Sequence, residues 1–225
     1  TQKRPEGETS AKPEQRRHLG KNILLVEDND EVAAALQPVL EAMGWVAPAS
    51  CTEVRVNLTD EQRMTYAVAE PAERHRLAAT TPSKLVALDA LMERHKGDRI
   101  LVIGQFLDQL ATVAERLGAP LITGKTSQKV RDERFEAFRS GEIDVLIVSK
   151  VANFSIDLPE ANVAIQISGQ FGSRQEEAQR LGRIMRPKAE GGSAEFYTIV
   201  AVETVEQSDA VNRQRFLAEQ GYTYT

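Results

Sequence analysis

Asp144-Val-Leu-Ile-Val-Ser149 is followed by Lys150-Val-Ala-Asn-Phe-Ser-Ile-Asp157-Leu-Pro159 and then by Asn162-Val-Ala-Ile-Gln-Ile167. The first and third of these stretches are short, apolar and β-branched, the pattern of parallel strands covered on both faces. The middle stretch is a loop. After Ile167 a glycine-bearing loop, Gly169-Gln-Phe-Gly-Ser-Arg174, leads into Gln175-Glu-Glu-Ala-Gln-Arg-Leu-Gly-Arg-Ile-Met-Arg-Pro187. If the latter is helical, Gln179, Arg183 and Arg186 share one face. A guanidinium is a permanently charged planar fork that grips phosphate in two places. Ligands of open α/β sheets bind beyond the carboxyl ends of the strands. Ser149, Asp157 and the arginines all fall at such ends.

Working outward, the chain alternates helix and strand. The spacing predicts a strand over Glu53 to Leu58 and a polar helix over Asp60 to Ala79, capped by Thr59 or Asp60. Helices are expected over 82–95, 106–117, 127–140 and 204–220, with strands over 99–103, 120–122, 144–148, 162–167 and 195–201. Val130 and Phe138 face inward on helix 127–140, which ends at Gly141. The fold class is therefore α/β, a doubly wound and mostly parallel sheet. Residues 1–21 are almost free of apolar side chains and read as a disordered tail or linker. Residues 22–45 form a separate βα unit, with strand Ile23-Leu-Leu-Val26, an acidic turn from Glu27 to Asp30, and a helix from Val32 to Met43 that Pro38 kinks. Residues 46–225 make the main lobe.

The wording of several segments resembles a known family. Residues 144–188 are similar to motifs V and VI of superfamily 2 helicases. Together with Gly44-Trp-Val-Ala-Pro48, Cys51-Thr-Glu-Val-Arg-Val56, Leu101-Val-Ile-Gly-Gln-Phe-Leu-Asp-Gln-Leu110 and Arg213-Gln-Arg-Phe-Leu-Ala-Glu-Gln-Gly-Tyr222, they resemble the C-terminal RecA-like lobe of XPB-type DNA repair helicases, the bacterial members in particular. The resemblance runs from about Leu40 to the C-terminus. It implies the second lobe of an ATP-dependent 3′–5′ DNA helicase, without ATPase activity of its own. It implies that Arg183 and Arg186 are catalytic arginines acting on a nucleotide bound elsewhere, and that Gln179 and Asp157 serve the nucleotide site. Ser149, Lys150, Gln105 and Arg174 are the implied DNA contacts. ATP and Mg²⁺ are the implied cofactors, held mainly by a P-loop-containing first lobe. That lobe, DNA and a repair nuclease are the implied partners.

Other features limit the reading. Gly124-Lys125-Thr126 looks like the end of a P-loop, but Ala119 stands where the first glycine is required. Asp60-Glu61 and Asp132-Glu133 do not follow apolar strands and read as helix-start charges. Asn22-Ile-Leu-Leu-Val-Glu-Asp-Asn-Asp resembles the opening of a response-regulator receiver domain, in which an acidic pair binds Mg²⁺; Glu27 and Asp28 are the candidates. No apolar strand ending in aspartate follows at the distance a phospho-acceptor would need. A chimera of the two families is one explanation of the join. A non-enzymatic scaffold with weak DNA binding and a receiver-type signalling fusion stay open as alternatives. One cysteine among 225 residues excludes an internal disulfide, and three scattered histidines have no zinc spacing. A reducing, cytoplasmic setting is expected, with no membrane partner. The net charge of −5 requires any DNA contact to be local. Residues 174–188 supply such a patch, with five basic and two acidic side chains.

Overall fold

The computed structural model describes residues 49–149, 161–169, 194–211 and 223–224. Seven strands form one sheet: β1 (Ala49–Val56), β2 (Ile100–Gly104), β3 (Leu121–Ile122), β4 (Val145–Ser149), β5 (Val163–Gln166), β6 (Ala194–Ala201) and β7 (Thr223–Tyr224). Their order is β3-β4-β2-β5-β6-β1-β7, and every pairing is parallel. Parallel neighbours need crossover connections. Five helices are described in full: α1 (Asp60–Val68), α2 (Pro71–Ala79), α3 (Ser83–Arg94), α4 (Leu107–Leu117) and α5 (Gln128–Ser140). Residues 205–211 are also helical; the rest of the helix expected over 204–220 lies outside the described residues.

Side-chain alternation along the strands builds two cores. From β2, Leu101 and Ile103 pack on one face with Phe135 and Phe138 of α5, Leu146, Val148 and Phe196. Ile100 and Val102 pack on the other face with Leu88 and Leu91 of α3, Leu110 and Val113 of α4, and Ile165. All five residues of β2 are buried, which explains its unbroken apolar run. α5 ends at Gly141, whose φ of 80° is readily adopted only by glycine. Phe135 joins Phe138 in the core, whereas the expected inward residue Val130 is only partly buried.

Two expectations need correction. The strand expected from Glu53 begins at Ala49, because Ala49, Ser50 and Cys51 pair with Ala194, Glu195 and Phe196. It ends at Val56, and Leu58 packs instead against Ala78 and Ala201. The single helix expected over 60–79 is two. Thr59 caps α1 through a capping box with Gln62, their bonds measuring 3.3 and 3.2 Å. Ala69 and Glu70 are then extended, because a residue before proline is driven out of the helical region. Pro71 opens α2 at its first turn, where its missing N–H costs nothing. Among the described residues, no helix is long and apolar enough to cross a membrane.

The amino edge of the sheet is fastened by a polar network. The ring of His95 lies 2.9 Å from the Tyr197 hydroxyl through Nε2 and 3.1 Å from Asp98 through Nδ1. Asn162 donates to Asp98 at 3.2 Å, and Tyr197 donates to Glu195. Burial first, and the neighbouring Glu195 second, push the Tyr197 hydroxyl up to about 12.

Two outcomes test this packing. Gly104 carries the closest approach: a Cβ there would lie 2.7 Å from Leu110 Cδ2, 3.1 Å from Ser168 Oγ and 3.2 Å from Ile167 Cγ2. Gly104→Ala should lower unfolding free energy by about 1–3 kcal/mol in urea titration, and an unchanged midpoint would refute the crowding. Tyr197 ionises near 10 when unfolded and near 12 when folded. Its contribution is therefore intact below about pH 10 and is lost as the pH rises towards 12. Tyr197→Phe should decline less steeply than the parent chain in thermal midpoint between pH 9 and 12. Equal slopes would rule out this tyrosine as the source.

Candidate nucleic-acid interface

The strand order brings four chain exits side by side at the carboxyl edge of the sheet. They are Thr123 after β3, Ser149 at the end of β4, Gln105 after β2 and Ser168 after β5. Ser149 stands in register with Gly104. Its side chain is buried, yet Oγ has no hydrogen-bond partner among the described residues. Gln105 donates its backbone N–H to Ser168 Oγ at 2.9 Å. The Gln105 side-chain Oε1 is also buried without a described partner. One turn on, Gln109 donates through Nε2 to the Ala79 carbonyl at 2.7 Å, and its Oε1 is likewise unpartnered. A buried polar atom left unpaired costs about 1–3 kcal/mol, so such atoms gathered at a strand edge suit a ligand that completes them.

The Gly124-Lys125-Thr126 turn sits at the same edge. Thr126 N–H donates to the Thr123 carbonyl at 3.1 Å, and Lys125 N–H donates to Thr123 Oγ1 at 3.2 Å. Thr123 N–H donates to Thr126 Oγ1 at 3.0 Å. Arg131 reaches back to the carbonyls of Thr123 and Thr126 at 3.5 and 3.4 Å. With these amides consumed inside the turn, it offers no cradle for a nucleotide's phosphates. The Lys125 and Lys129 side chains remain exposed. Among the described residues, no three His, Cys, Asp or Glu side chains converge as they would around Mg²⁺. The Thr123–Thr126 turn, with its amides consumed, does not fit a nucleotide's phosphates.

Behind the edge lies a buried ion pair. Lys84, in the first turn of α3, has no solvent exposure. Its Nζ donates to the Ile167 carbonyl at 2.9 Å and lies 2.9 and 2.8 Å from the two carboxylate oxygens of Glu206. Glu206 Oε2 in turn accepts from Ala201 N–H at 3.1 Å. The turn presenting Glu206 contains Glu203 at a φ of 59°. Glu203 N–H donates to Gln207 Oε1 at 2.7 Å, and its carboxylate lies 3.6 Å from Arg63. Away from the edge, Arg116 of α4 grips Asp89 of α3 with bonds of 2.8 and 3.1 Å and holds its carboxyl below the usual range.

Of the residues singled out in the sequence, Ser149 and Gln105 are brought to this one edge, separated only by the β4–β2 pairing. Lys150, Asp157, Arg174, Gln179, Arg183 and Arg186 lie outside the described residues, as do Glu27 and Asp28. Sequence reading missed Lys84, Glu206 and Ser168. It weighed Lys125 only as part of a false P-loop.

Comparison with known proteins gives the edge its context. The family model described as ERCC3/RAD25/XPB C-terminal helicase matches residues 40–225. The DNA 3′–5′ helicase XPB of Mycobacterium tuberculosis is 57% identical over 185 residues, covering 82% of this chain and 34% of the relative. That of Kineococcus radiotolerans is 54% identical over 220 residues, covering 93% and 40%. A Drosophila melanogaster relative, the XPB helicase/translocase subunit of general transcription and DNA repair factor IIH, is 40% identical over 82% of this chain and 24% of its own length. The chain thus spans only about a third to two fifths of the first two relatives. Among solved structures, the Sulfolobus solfataricus SWI2/SNF2 ATPase core in complex with dsDNA superposes with a TM-score of 0.58 at 20% identity, covering 75% of this chain and 45% of that one. The yeast DEAD-box splicing factor Prp28 gives 0.57 at 13% identity, covering 80% and 35%. These two likenesses establish the RecA-like lobe fold.

The receiver fusion expected at residues 22–45 gains no support. The Kineococcus radiotolerans match covers 93% of the chain, too much for that stretch to lie outside it. Neither the scaffold nor the signalling alternative is favoured by these likenesses. By a family match running from residue 40 to residue 225, this chain belongs to the ERCC3/RAD25/XPB C-terminal helicase family.

Proposed function

We propose that this chain is the second lobe of a DNA 3′–5′ helicase, closing on a nucleotide held by a separate P-loop lobe while its own strand ends follow the DNA backbone. The observation that carries this reading is the carboxyl edge. There, a family match over most of the chain coincides with buried polar atoms of Ser149 and Gln105 that have no partner among the described residues. The Ser149 hydroxyl suits a phosphate oxygen, as a neutral donor that fixes register on a backbone without reading sequence, and the Gln105 side chain would donate to one through Nε2, its Oε1 being an acceptor. Lys125, exposed at the neighbouring turn, adds charge to the same contact. Arg183 and Arg186 are the arginines presented to the γ-phosphate of ATP, and Gln179 and Asp157 serve the same site. Lys150 and Arg174 extend the DNA contact. ATP and Mg²⁺ belong to the partner lobe, in keeping with a Thr123–Thr126 turn whose amides are consumed internally.

When bound by the partner lobe, the nucleotide supplies the free energy for translocation. This chain's part is to place positive charge at one side of the closed cleft and to hold one strand of DNA at the other. An arginine supplied in trans contributes on the order of 10³–10⁵ in phosphoryl-transfer rate, so neither lobe should turn over ATP well alone.

Three outcomes follow. The purified chain should show no DNA-stimulated ATP turnover, and mixing with a P-loop lobe from a relative should restore it. Arg183→Ala should lower that restored turnover by about a thousandfold or more while leaving DNA affinity within twofold. Unchanged turnover would remove the arginine from the mechanism. Lys125→Gln should make the slope of log affinity against log salt shallower by about one for duplex DNA, and an unaltered slope would exclude a phosphate contact there.

A further inference from the structure

We propose that Ser168, Lys84 and Glu206 are positioning residues that couple the DNA-facing strand ends to the arginine-bearing segment. This coupling rests on the function proposed above. At Ile167 and Ser168 the chain leaves β5 for the stretch containing Arg174, Gln179, Arg183 and Arg186. Besides the Ile167 N–H bond to the Ile103 carbonyl at 2.9 Å, two side-chain contacts among the described residues fix that exit. The Ile167 carbonyl accepts from Lys84 Nζ at 2.9 Å, and Ser168 Oγ accepts from the Gln105 backbone N–H at 2.9 Å. The second bond joins the exits of β2 and β5 directly. It depends on Gly104, since a Cβ there would press to 3.1 Å from Ser168 Oγ.

The choice of a charged pair behind this exit is informative. Lys84 has no solvent exposure and Glu206 very little. An apolar pair of similar volume can be as stable as a buried ion pair or more so. Apolar side chains cannot hold a backbone carbonyl, however, and Lys84 meets three oxygens at 2.8–2.9 Å. Glu206 is oriented in turn by Ala201 N–H, at the end of β6. The first turn of α3, the exit of β5 and the exit of β6 are therefore tied at one point. A phosphate drawn to Gln105 shifts a backbone whose N–H is bonded to Ser168, one residue past the carbonyl that Lys84 grips. Binding at the DNA face thereby reaches the β5 exit at Ile167 and Ser168, from which the chain runs on in sequence to the arginines.

The test uses this chain paired with a P-loop lobe and compares turnover with and without DNA. Ser168→Ala should lower the DNA-stimulated to DNA-free ratio about tenfold, within the usual range of coupling between sites. DNA affinity and DNA-free turnover should stay near those of the parent pair, while the thermal midpoint falls because the Gln105 N–H loses its acceptor. Ser168→Thr, which keeps the hydroxyl, should recover most of the ratio. Lys84→Met should lower the ratio likewise if it folds, and the serine variants decide the matter if it does not. A parent-like ratio in Ser168→Ala, or a fall no larger than its loss of DNA affinity, would overturn the coupling. If Arg183→Ala still abolishes turnover in that case, the helicase reading survives without it. Absence of DNA stimulation in the unmodified pair would overturn both.

Discussion

A parallel sheet covered on both faces leaves its polar side chains only two places to go, the ends of its strands. Here β2 and the last four residues of β4 are buried, and the faces of β2 belong to two cores, one beneath α5 and the other beneath α3 and α4. Polar groups at the ends of the central strands appear at one edge or the other, while Thr52, Glu53 and Thr198 lie along β1 and β6. The amino edge uses its share for fastening, with His95, Asp98, Asn162, Glu195 and Tyr197 satisfying one another. The carboxyl edge keeps Ser149, Gln105 and Gln109 incompletely satisfied among the described residues. The same constraint that stabilises the sheet thus separates a mechanical end from a chemical one.

The Lys84–Glu206 pair sits where those two demands meet. Removing one partner of a buried pair costs about 3–5 kcal/mol because the other charge is left dry and alone. A pair placed there makes the geometry of the β5 and β6 exits a condition of folding rather than a consequence of ligand binding. Rigid strand ends of this kind hold polar groups more accurately than free loops do.

Much of this architecture was legible because periodicity is a local property. The apolar runs at Ile100–Gly104 and Val145–Ser149 could hardly be anything but buried strands, and Gly141 marked the end of α5 by the backbone angle it permits. The misses have physical causes. Ala49, Ser50 and Cys51 carry little hydrophobic signal, and their strand character comes from pairing with Ala194–Phe196, 145 residues away. Pro71 divides a polar stretch whose composition looks uniformly helical. At the site, Ser149 and Gln105 could be placed because strand ends are predictable once strands are. Lys84, Ser168 and Glu206 could not, because a lysine in a helix and a glutamate 122 positions later read as ordinary surface charges. Only the packed fold makes both of them dry.

Glu203 adds a last consequence. A non-glycine residue at a φ of 59° sits in the left-handed region, where a side chain costs roughly 1–2 kcal/mol. Its turn is held in that posture by Gln207 and Arg63 on one side and by the Glu206 bond to Ala201 on the other. The turn therefore behaves as a sprung catch. The conformational cost at Glu203 is carried by the same contacts that aim Glu206 at Lys84.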